Sequence, residues 1–237
     1  MPKRSTIRKA AVALAALTAT IIVAGCGGSP QARSITITFI RHAQSEANAA
    51  GTIDTEVPGP GLTPDGKGQA EQLAHQLGHK DYDSVYASTM TRAQQTAAPL
   101  AAELGKQVEV LQGIQEINAG WYNGKPESMA KSTYMLAPAD WLNGDVSNSI
   151  PGSVSGKEFN DQFTAAVNKI YNSGHRNPVV VSHRNSIMVW TLLNVQNAKD
   201  SLMDSHPIPN TGRVVISGNP MTGWTLVDWD GIRDFHN

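Results

Sequence analysis

Two histidines follow strongly apolar segments at positions where β-strands are expected to end. Arg41-His42 comes directly after the β-branched run 34–40, and His183 comes directly after the apolar run 178–182. In an open parallel sheet, residues about 140 positions apart can face one crevice at the carboxyl edge of the strands. A cation beside an imidazole at such an edge favours an anion site in which His42 is a nucleophile. An isolated Arg-His pair is also typical of a strand that runs into a polar turn.

Two further charged side chains follow the other predicted parallel strands. Arg92 comes after the strand expected at 83–87, and Glu116 comes after the strand expected at 107–111. Taken alone, Arg92 is equally typical of a solvated helix surface, Glu116 of a loop carboxylate and His183 of a core histidine. Their joint placement with His42 at one sheet edge favours a functional site over these alternatives.

A series of short blocks carries a resemblance to a known family. In chain order the blocks are Arg41-His42-Ala43-Gln44-Ser45-Glu46-Ala47-Asn48, Leu62-Thr63-Pro64-Asp65-Gly66, Ser88 to Thr96, Glu116 to Gly120, Val180-Val181-Ser182-His183 and Asn210-Thr211. Together they resemble the histidine phosphatase superfamily, the clan of phosphoglycerate mutases and acid phosphatases. The resemblance covers nearly all of the chain after its first 25 residues.

The resemblance implies both a fold and a set of site residues. The fold is α/β and phosphoglycerate mutase-like, with a mainly parallel central sheet, helices on both faces and a small cap inserted before the second catalytic histidine. It implies that His42 forms a phosphohistidine and that Glu116 protonates the leaving alcohol and then accepts a proton from water. Arg41, Arg92 and a protonated His183 clamp the phosphoryl group, and Asn48 also binds substrate. No metal or other cofactor is implied.

Two positions depart from the family pattern. Ala43 stands where the family usually has glycine, which predicts a tighter backbone approach to the phosphate or a slightly different turn. Arg184 stands where glycine usually follows the second histidine. A cation in the first turn of a helix opposes the helix dipole, so Arg184 is expected either to meet the anion or to reach solvent.

The hydrophobic pattern predicts the elements that position these residues. Apolar residues at helical spacing predict helices over 64–77 and 91–104, a helix capped by Ser155 and Glu158, and a buried helix around 187–193. Two last strands are expected at 213–217 and 225–228, joined by a turn at Gly218-Asn219-Pro220. The alternation of strands and helices indicates crossover connections and therefore a mainly parallel sheet.

The segment 113–156 is predicted to be a substrate cap. Its pattern is weak and several prolines and glycines interrupt it, which is typical of a functional lid. Its aromatic side chains favour either an organic phosphate monoester with an apolar body or a small core of the cap itself. These aromatic residues are Trp121, Tyr122, Tyr134 and Trp141.

The first residues resemble a bacterial lipoprotein signal. Residues 1–25 combine four Lys or Arg with an apolar stretch, and Val23-Ala24-Gly25-Cys26 resembles a lipobox. We expect cleavage before Cys26, lipidation of its sulfur, a tether over 26–33 and a catalytic domain over 34–237. The alternative is a plain secretory signal with an incidental cysteine. The protein is therefore expected on the extracytoplasmic side of the cell membrane, held by its lipid.

Charge and length limit the classes of partner that we expect this protein to bind. After residue 25 the chain has 15 Lys and Arg against 20 Asp and Glu, a net charge of −5, which disfavours nucleic acid. We expect a small phosphorylated substrate, and the sequence leaves the oligomeric state open.

The leading hypothesis is phosphomonoester hydrolysis, favoured over a mutase because the cap is short. The alternatives are a catalytically silent lipoprotein that binds phosphate or acts as a scaffold, and a phosphotransferase or mutase.

Overall fold

The computed structural model describes residues 32–235. The predicted signal over 1–25, Cys26 and most of the tether lie outside the described residues. The described residues belong to one unit that begins at Ala32. Within this part of the chain, no helix is both long enough and apolar enough to cross a bilayer.

Six strands form one sheet. They are β1 (Ile35–Arg41), β2 (Ser84–Ser88), β3 (Val108–Leu111), β4 (Pro178–Ser182), β5 (Arg213–Asn219) and β6 (Gly223–Trp229). Their order across the sheet is β3-β2-β4-β1-β5-β6. The first four strands in this order are parallel, and β5 and β6 continue the sheet as antiparallel neighbours. The prediction of a mainly parallel sheet is therefore confirmed.

Helices cover both faces of the sheet. In chain order they are α1 (Glu46–Ala50), α2 (Pro64–Leu77), α3 (Thr91–Glu103), α4 (Leu136–Leu142), α5 (Gly156–Asn172), α6 (Arg184–Asn194) and α7 (Leu202–Ser205). Apolar side chains of α2 and α3 share one core with Val179 and Val181 of β4. Those of α4, α5 and α6 share a second core with Val180. Because β4 is covered on both faces, every one of its residues is buried, which explains its unbroken apolar sequence.

The predicted helix signals correspond to helix ends in the structure. The Ser155 side chain accepts a hydrogen bond from the Glu158 N–H, and the Glu158 side chain accepts one from the Ser155 N–H. This capping box begins α5 and confirms the prediction made from the residue spacing. Thr63 caps α2 in a similar way by accepting a bond from the Gly66 N–H.

The cap is more regular than its sequence indicates. It contains two 3-10 helices, Gly120–Tyr122 and Glu127–Ser132, in addition to α4. Its aromatic residues divide between the two predicted roles. Trp141 is fully buried in the larger core, whereas the side chain of Trp121 is exposed. Tyr134 is buried, and it also lines the candidate site described below.

The last turn lies further along the chain than predicted. Gly218 pairs with Trp224 and Asn219 pairs with Gly223, so both residues belong to β5. The reversal takes place at 220–222, where the Asn219 side chain accepts bonds from the Met221 and Thr222 N–H groups. Gly and Asn signal a turn by composition, but here the cross-strand pairing extends the strand through them.

Candidate active site

The parallel pairing of β1 and β4 brings the two histidines together. Arg41 pairs with Ser182 in the register of these strands, so both strands end at the same level. The His42 N–H donates to the Ser182 carbonyl at 3.0 Å. The centroids of the His42 and His183 rings lie 5.1 Å apart. The structure therefore unites at one sheet edge two residues that the sequence separates widely.

The hydrogen bonds of His42 determine which ring nitrogen carries the proton. Nδ1 lies 2.7 Å from the Ala43 carbonyl, and a carbonyl only accepts, so Nδ1 is the protonated nitrogen. On the other side of the ring, Arg92 Nε donates to Nε2 at 3.1 Å. Nε2 therefore presents its lone pair. Nε2 is the ring nitrogen that can attack an electrophile once the bond from Arg92 is released.

The surroundings of His42 keep the ring neutral. Its side chain is buried, and burial holds its pKa well below the ordinary value. The positive charges of Arg92 and Arg41 lower this pKa further. The ring is thus an uncharged base at neutral pH, as a nitrogen nucleophile must be.

The surroundings of His183 also disfavour a charged ring, and its protonation beside a bound phosphate dianion stays a prediction. Burial, together with the charge of Arg92, holds its pKa well below the ordinary value. Its Nε2 lies 2.7 Å from Ser88 Oγ, which also accepts a bond from the Met90 N–H. In the tautomer that carries its proton on Nδ1, Nε2 accepts a bond from the Ser88 hydroxyl. Nδ1 is buried and has no partner among the described residues, so in this tautomer His183 can donate as a neutral imidazole.

Both predicted arginines are buried beside His42. Arg92 donates to the backbone carbonyl of Asp54 at 3.0 Å and pairs with the Asp54 carboxylate at 3.4 Å. Arg41 donates to the Ile208 carbonyl at 3.0 Å, and its Nε is buried without a partner in the part of the chain that the structure describes. Burial, with a further contribution from Arg184, lowers the pKa of Arg41 to about 10, so the group is charged at neutral pH. Two incompletely paired guanidinium groups make this edge a site for an anion.

Glu116 is held at the beginning of α6. Its Oε1 accepts bonds from the Ile117 N–H at 2.9 Å and from the Ser186 N–H and hydroxyl, each at 3.0 Å. Its Oε2 accepts one bond, from the Asn185 N–H at 3.2 Å. A carboxylate at a helix N-terminus meets unpaired N–H groups and the positive end of the helix dipole. Oε2 has fewer hydrogen-bond partners than Oε1.

Five of the six predicted catalytic and binding side chains line one cavity. They are Arg41, His42, Asn48, Arg92 and Glu116. His183 is not part of this lining, because it is fully buried against His42. Asn48 Oδ1 accepts a bond from Asn210 Nδ2 at 3.2 Å, and Asn210 also donates to the His42 carbonyl at 2.9 Å. This pair ties the loop after β1 to the late Asn-Thr block.

Several side chains of the cavity were not identified from the sequence. Asp54 pairs with Arg92, and Glu127 pairs with Arg184 at 2.5 Å. The hydroxyl of Tyr134 accepts a bond from Asn185 Nδ2 at 2.9 Å. Asp54 and Glu127 occur in segments without periodicity or motif, so no sequence signal singled them out. Tyr134 was considered only as an apolar cap residue.

The two departures from the family pattern have clear structural consequences. Ala43 is fully buried, and its N–H donates to Thr96 Oγ1 at 2.9 Å. Its backbone lies outside the left-handed region, so alanine is accommodated there without strain. Arg184 lines the cavity and is paired to Glu127. Of its two predicted orientations, the structure favours the one that faces the anion site.

The family assignment rests on a match over most of the chain. Residues 37–231 match the Histidine phosphatase superfamily (branch 1). The chain belongs to this superfamily. The prediction of a histidine-type phosphatase is thus confirmed at the level of the family.

Two bacterial proteins are among the relatives of this chain. The PE-PGRS family protein PE_PGRS11 of Mycobacterium tuberculosis is 46% identical over 222 residues, which cover 87% of this chain. The match spans 38% of that relative's length. The adenosylcobalamin/alpha-ribazole phosphatase of Salmonella typhimurium is 28% identical over 68% of this chain and 80% of its own.

Solved structures confirm the phosphoglycerate mutase-like fold. The mycobacterial glucosyl-3-phosphoglycerate phosphatase superposes with a TM-score of 0.69 at 20% identity, covering 84% of this chain and all of that one. The phosphoserine phosphatase of Entamoeba histolytica superposes with a TM-score of 0.63 at 24% identity, covering 84% of this chain and 98% of its own. At these identities the likeness concerns the fold alone.

The neutral histidines of this phosphatase predict a specific loss of stability in acid. In the unfolded chain a histidine titrates near pH 6.5, whereas His42 and His183 have lower pKa values in the folded state. The unfolded state therefore binds more protons below pH 6.5, and folding stability is lost as the pH falls. Each ring contributes a slope of up to about 1.4 kcal/mol per pH unit. Urea unfolding at pH 7.5, 6.5 and 5.5 measures this slope.

The His42→Asn variant isolates the contribution of one ring. We expect its free energy of unfolding to fall less steeply between pH 6.5 and 5.5 than that of the wild type, by up to about 1.4 kcal/mol per pH unit. NMR of the histidine ring carbons gives an independent measurement of the same pKa. Equal slopes for the two proteins would show that His42 titrates in the folded state as it does in the unfolded chain.

Proposed function

We propose that this chain hydrolyses phosphate monoesters through a phosphohistidine on Nε2 of His42. The observation that carries the proposal is the orientation of the His42 ring. Its Nδ1–H is bonded to the Ala43 carbonyl, and its Nε2 lone pair faces Arg92 in a cavity that Arg41 also lines. A phosphoryl group that takes Arg92 as its own donor releases the Nε2 lone pair, which is then free to attack it.

In the first step, His42 Nε2 attacks phosphorus and the bond from phosphorus to the alcohol oxygen breaks. Glu116 Oε2 donates a proton to the departing oxygen, so the product is the free alcohol. Positive charge develops on the imidazole ring as the nitrogen–phosphorus bond forms. The Ala43 carbonyl, 2.7 Å from Nδ1, stabilises this charge. Arg41, Arg92 and the Nδ1–H of His183 are the donors for the three non-bridging oxygens.

In the second step, water attacks the phosphohistidine. Glu116, now ionised, accepts a proton from the water, and the nitrogen–phosphorus bond breaks. Inorganic phosphate leaves, and His42 and Glu116 regain their initial protonation states. The same carboxyl group therefore acts as the acid in one step and as the base in the next. Its several hydrogen bonds to α6 support this role by keeping it in place for both steps.

The test of the nucleophile is the His42→Ala variant. We expect kcat/KM for 4-nitrophenyl phosphate at pH 6 to fall by about three orders of magnitude or more, because no other side chain can replace the attacking nitrogen. His79→Ala is the matched control, since His79 is exposed on the surface. Brief incubation with labelled substrate is expected to give an acid-labile phosphoryl group on the wild type only.

Two other results would favour a different function for this protein. Equal rates for the wild type and His42→Ala would contradict the enzyme hypothesis and favour a phosphate-binding lipoprotein. Transfer of the label to an added alcohol, in place of release as inorganic phosphate, would identify a phosphotransferase.

The Glu116→Gln variant tests proton donation. A general acid contributes about 10²- to 10⁴-fold, and its loss matters most for a leaving group that needs a proton. We expect a larger fall in kcat/KM for an alkyl phosphate than for 4-nitrophenyl phosphate, because nitrophenolate leaves readily as an anion. Glu109→Gln, at an exposed position of β3, is the control. An equal fall for both substrates would assign Glu116 a purely structural role.

We further propose that the protein is a lipoprotein anchored at Cys26, with the phosphatase domain on the outer side of the cell membrane. The sequence supports this proposal through the basic residues before Ala10, the apolar stretch that follows and the Val23-Ala24-Gly25-Cys26 block. In a bacterial host we expect Cys26→Ser to abolish palmitate labelling and to release the protein from the membrane fraction. Unchanged membrane association of Cys26→Ser, with no label on the wild type, would contradict lipidation.

A further inference from the structure

A second cavity adjoins the candidate active site. Its volume is about 470 Å³, which is within the range of small-molecule sites. Arg184 and Asn185 line both this cavity and the one that contains His42. The two cavities therefore share a wall at the beginning of α6. A molecule whose phosphate lies at His42 would have to pass Arg184 to reach the second cavity.

The wall of the second cavity is largely apolar and adaptable. Three methionines and a leucine contribute to it, from the cap, α6 and α7: Met135, Leu142, Met188 and Met203. Ala130, Ala139 and Pro207 complete the apolar lining. Methionine side chains are flexible and polarisable, so they adjust to apolar groups of different shapes. Such a wall favours a hydrocarbon or aromatic group over a hydroxylated one.

The charged residues of this cavity do not offer a second anion site. Lys131 pairs with Asp204 at 2.7 Å, and Arg184 pairs with Glu127. Both lining cations thus already have a carboxylate partner, and Asp200 adds another negative charge. A second phosphate or a carboxylate on the substrate would meet paired cations and an extra acid, which disfavours its binding.

We propose that this second cavity binds the organic body of the substrate and selects phosphate monoesters whose body is apolar and uncharged. The inference rests on the proposed function, since it concerns the alcohol part of the same ester. Arg184 occupies a sequence position where the family usually has glycine. Its side chain lies on the wall that separates the charged cavity of His42 from the apolar second cavity.

A series of alkyl phosphates tests this selection. Ethyl, butyl, hexyl and octyl phosphate have leaving alcohols of similar pKa, so their intrinsic reactivity is similar. We expect kcat/KM to rise by about fourfold for each methylene that the cavity buries and then to level off when the cavity is full. A hexyl phosphate with a terminal carboxylate is expected to lose most of this advantage. A flat series would overturn the inference.

The Met203→Glu variant tests whether this cavity is responsible. A carboxylate in the apolar wall is expected to lower kcat/KM for hexyl phosphate at least tenfold and to leave ethyl phosphate nearly unchanged. The retained activity on ethyl phosphate shows that the variant is folded. Met221→Glu, in the exposed turn between β5 and β6, is the matched control. An unchanged preference for hexyl phosphate in Met203→Glu would overturn the assignment to this cavity.

The experiments distinguish a failure of the proposed function from a failure of the proposed selection for an apolar body. Absence of turnover for every ester would contradict the proposed function and, with it, this inference. Equal turnover of short and long esters would overturn only the apolar selection and would leave the phosphohistidine mechanism intact.

Discussion

The parallel pairing of β1 with β4 is the constraint on which the site depends. Arg41 is level with Ser182, and the bond from the His42 N–H to the Ser182 carbonyl continues the pairing by one residue. Both histidines therefore leave the sheet at the same edge, with their rings in contact. A shift of this register by one residue would turn the side chains of a strand to opposite faces. The two apolar cores, one on each face, prevent such a shift.

Burial then determines the electrostatics of this edge. Two arginines lie beside two histidines, and all four side chains are buried. Further positive charge is unfavourable there, so the pKa values of the histidines are lowered and their rings are neutral. Arg41 and Arg92 keep their charge because a guanidinium is protonated even when its pKa is lowered. The outcome is a neutral imidazole beside fixed cations. A dianionic phosphoryl group would complement this arrangement better than any neutral ligand.

The cap connects the core of the protein to the site. Trp141 anchors it in the larger core, whereas Tyr134 and Glu127 extend from it into the cavity of His42. The ion pair between Glu127 and Arg184 joins the cap to α6, whose first N–H groups hold Glu116. Changes in the cap can therefore alter the cavity without disturbing His42, because His42 is held by bonds outside the cap.

Much of this arrangement could be predicted from local sequence patterns. Alternation and helical spacing depend on which face of an element is buried. Such patterns therefore predicted the strands, the capping box of α5 and the position of His42 and His183 at strand ends. The matched blocks added Arg92 and Glu116 to the same edge. The hydrogen bonds of the two rings could not be predicted, because they involve Arg92 and Ser88, which lie far away in sequence. Asp54, Glu127 and the apolar cavity beside Arg184 also arise from contacts between distant segments, and no local periodicity encodes such contacts.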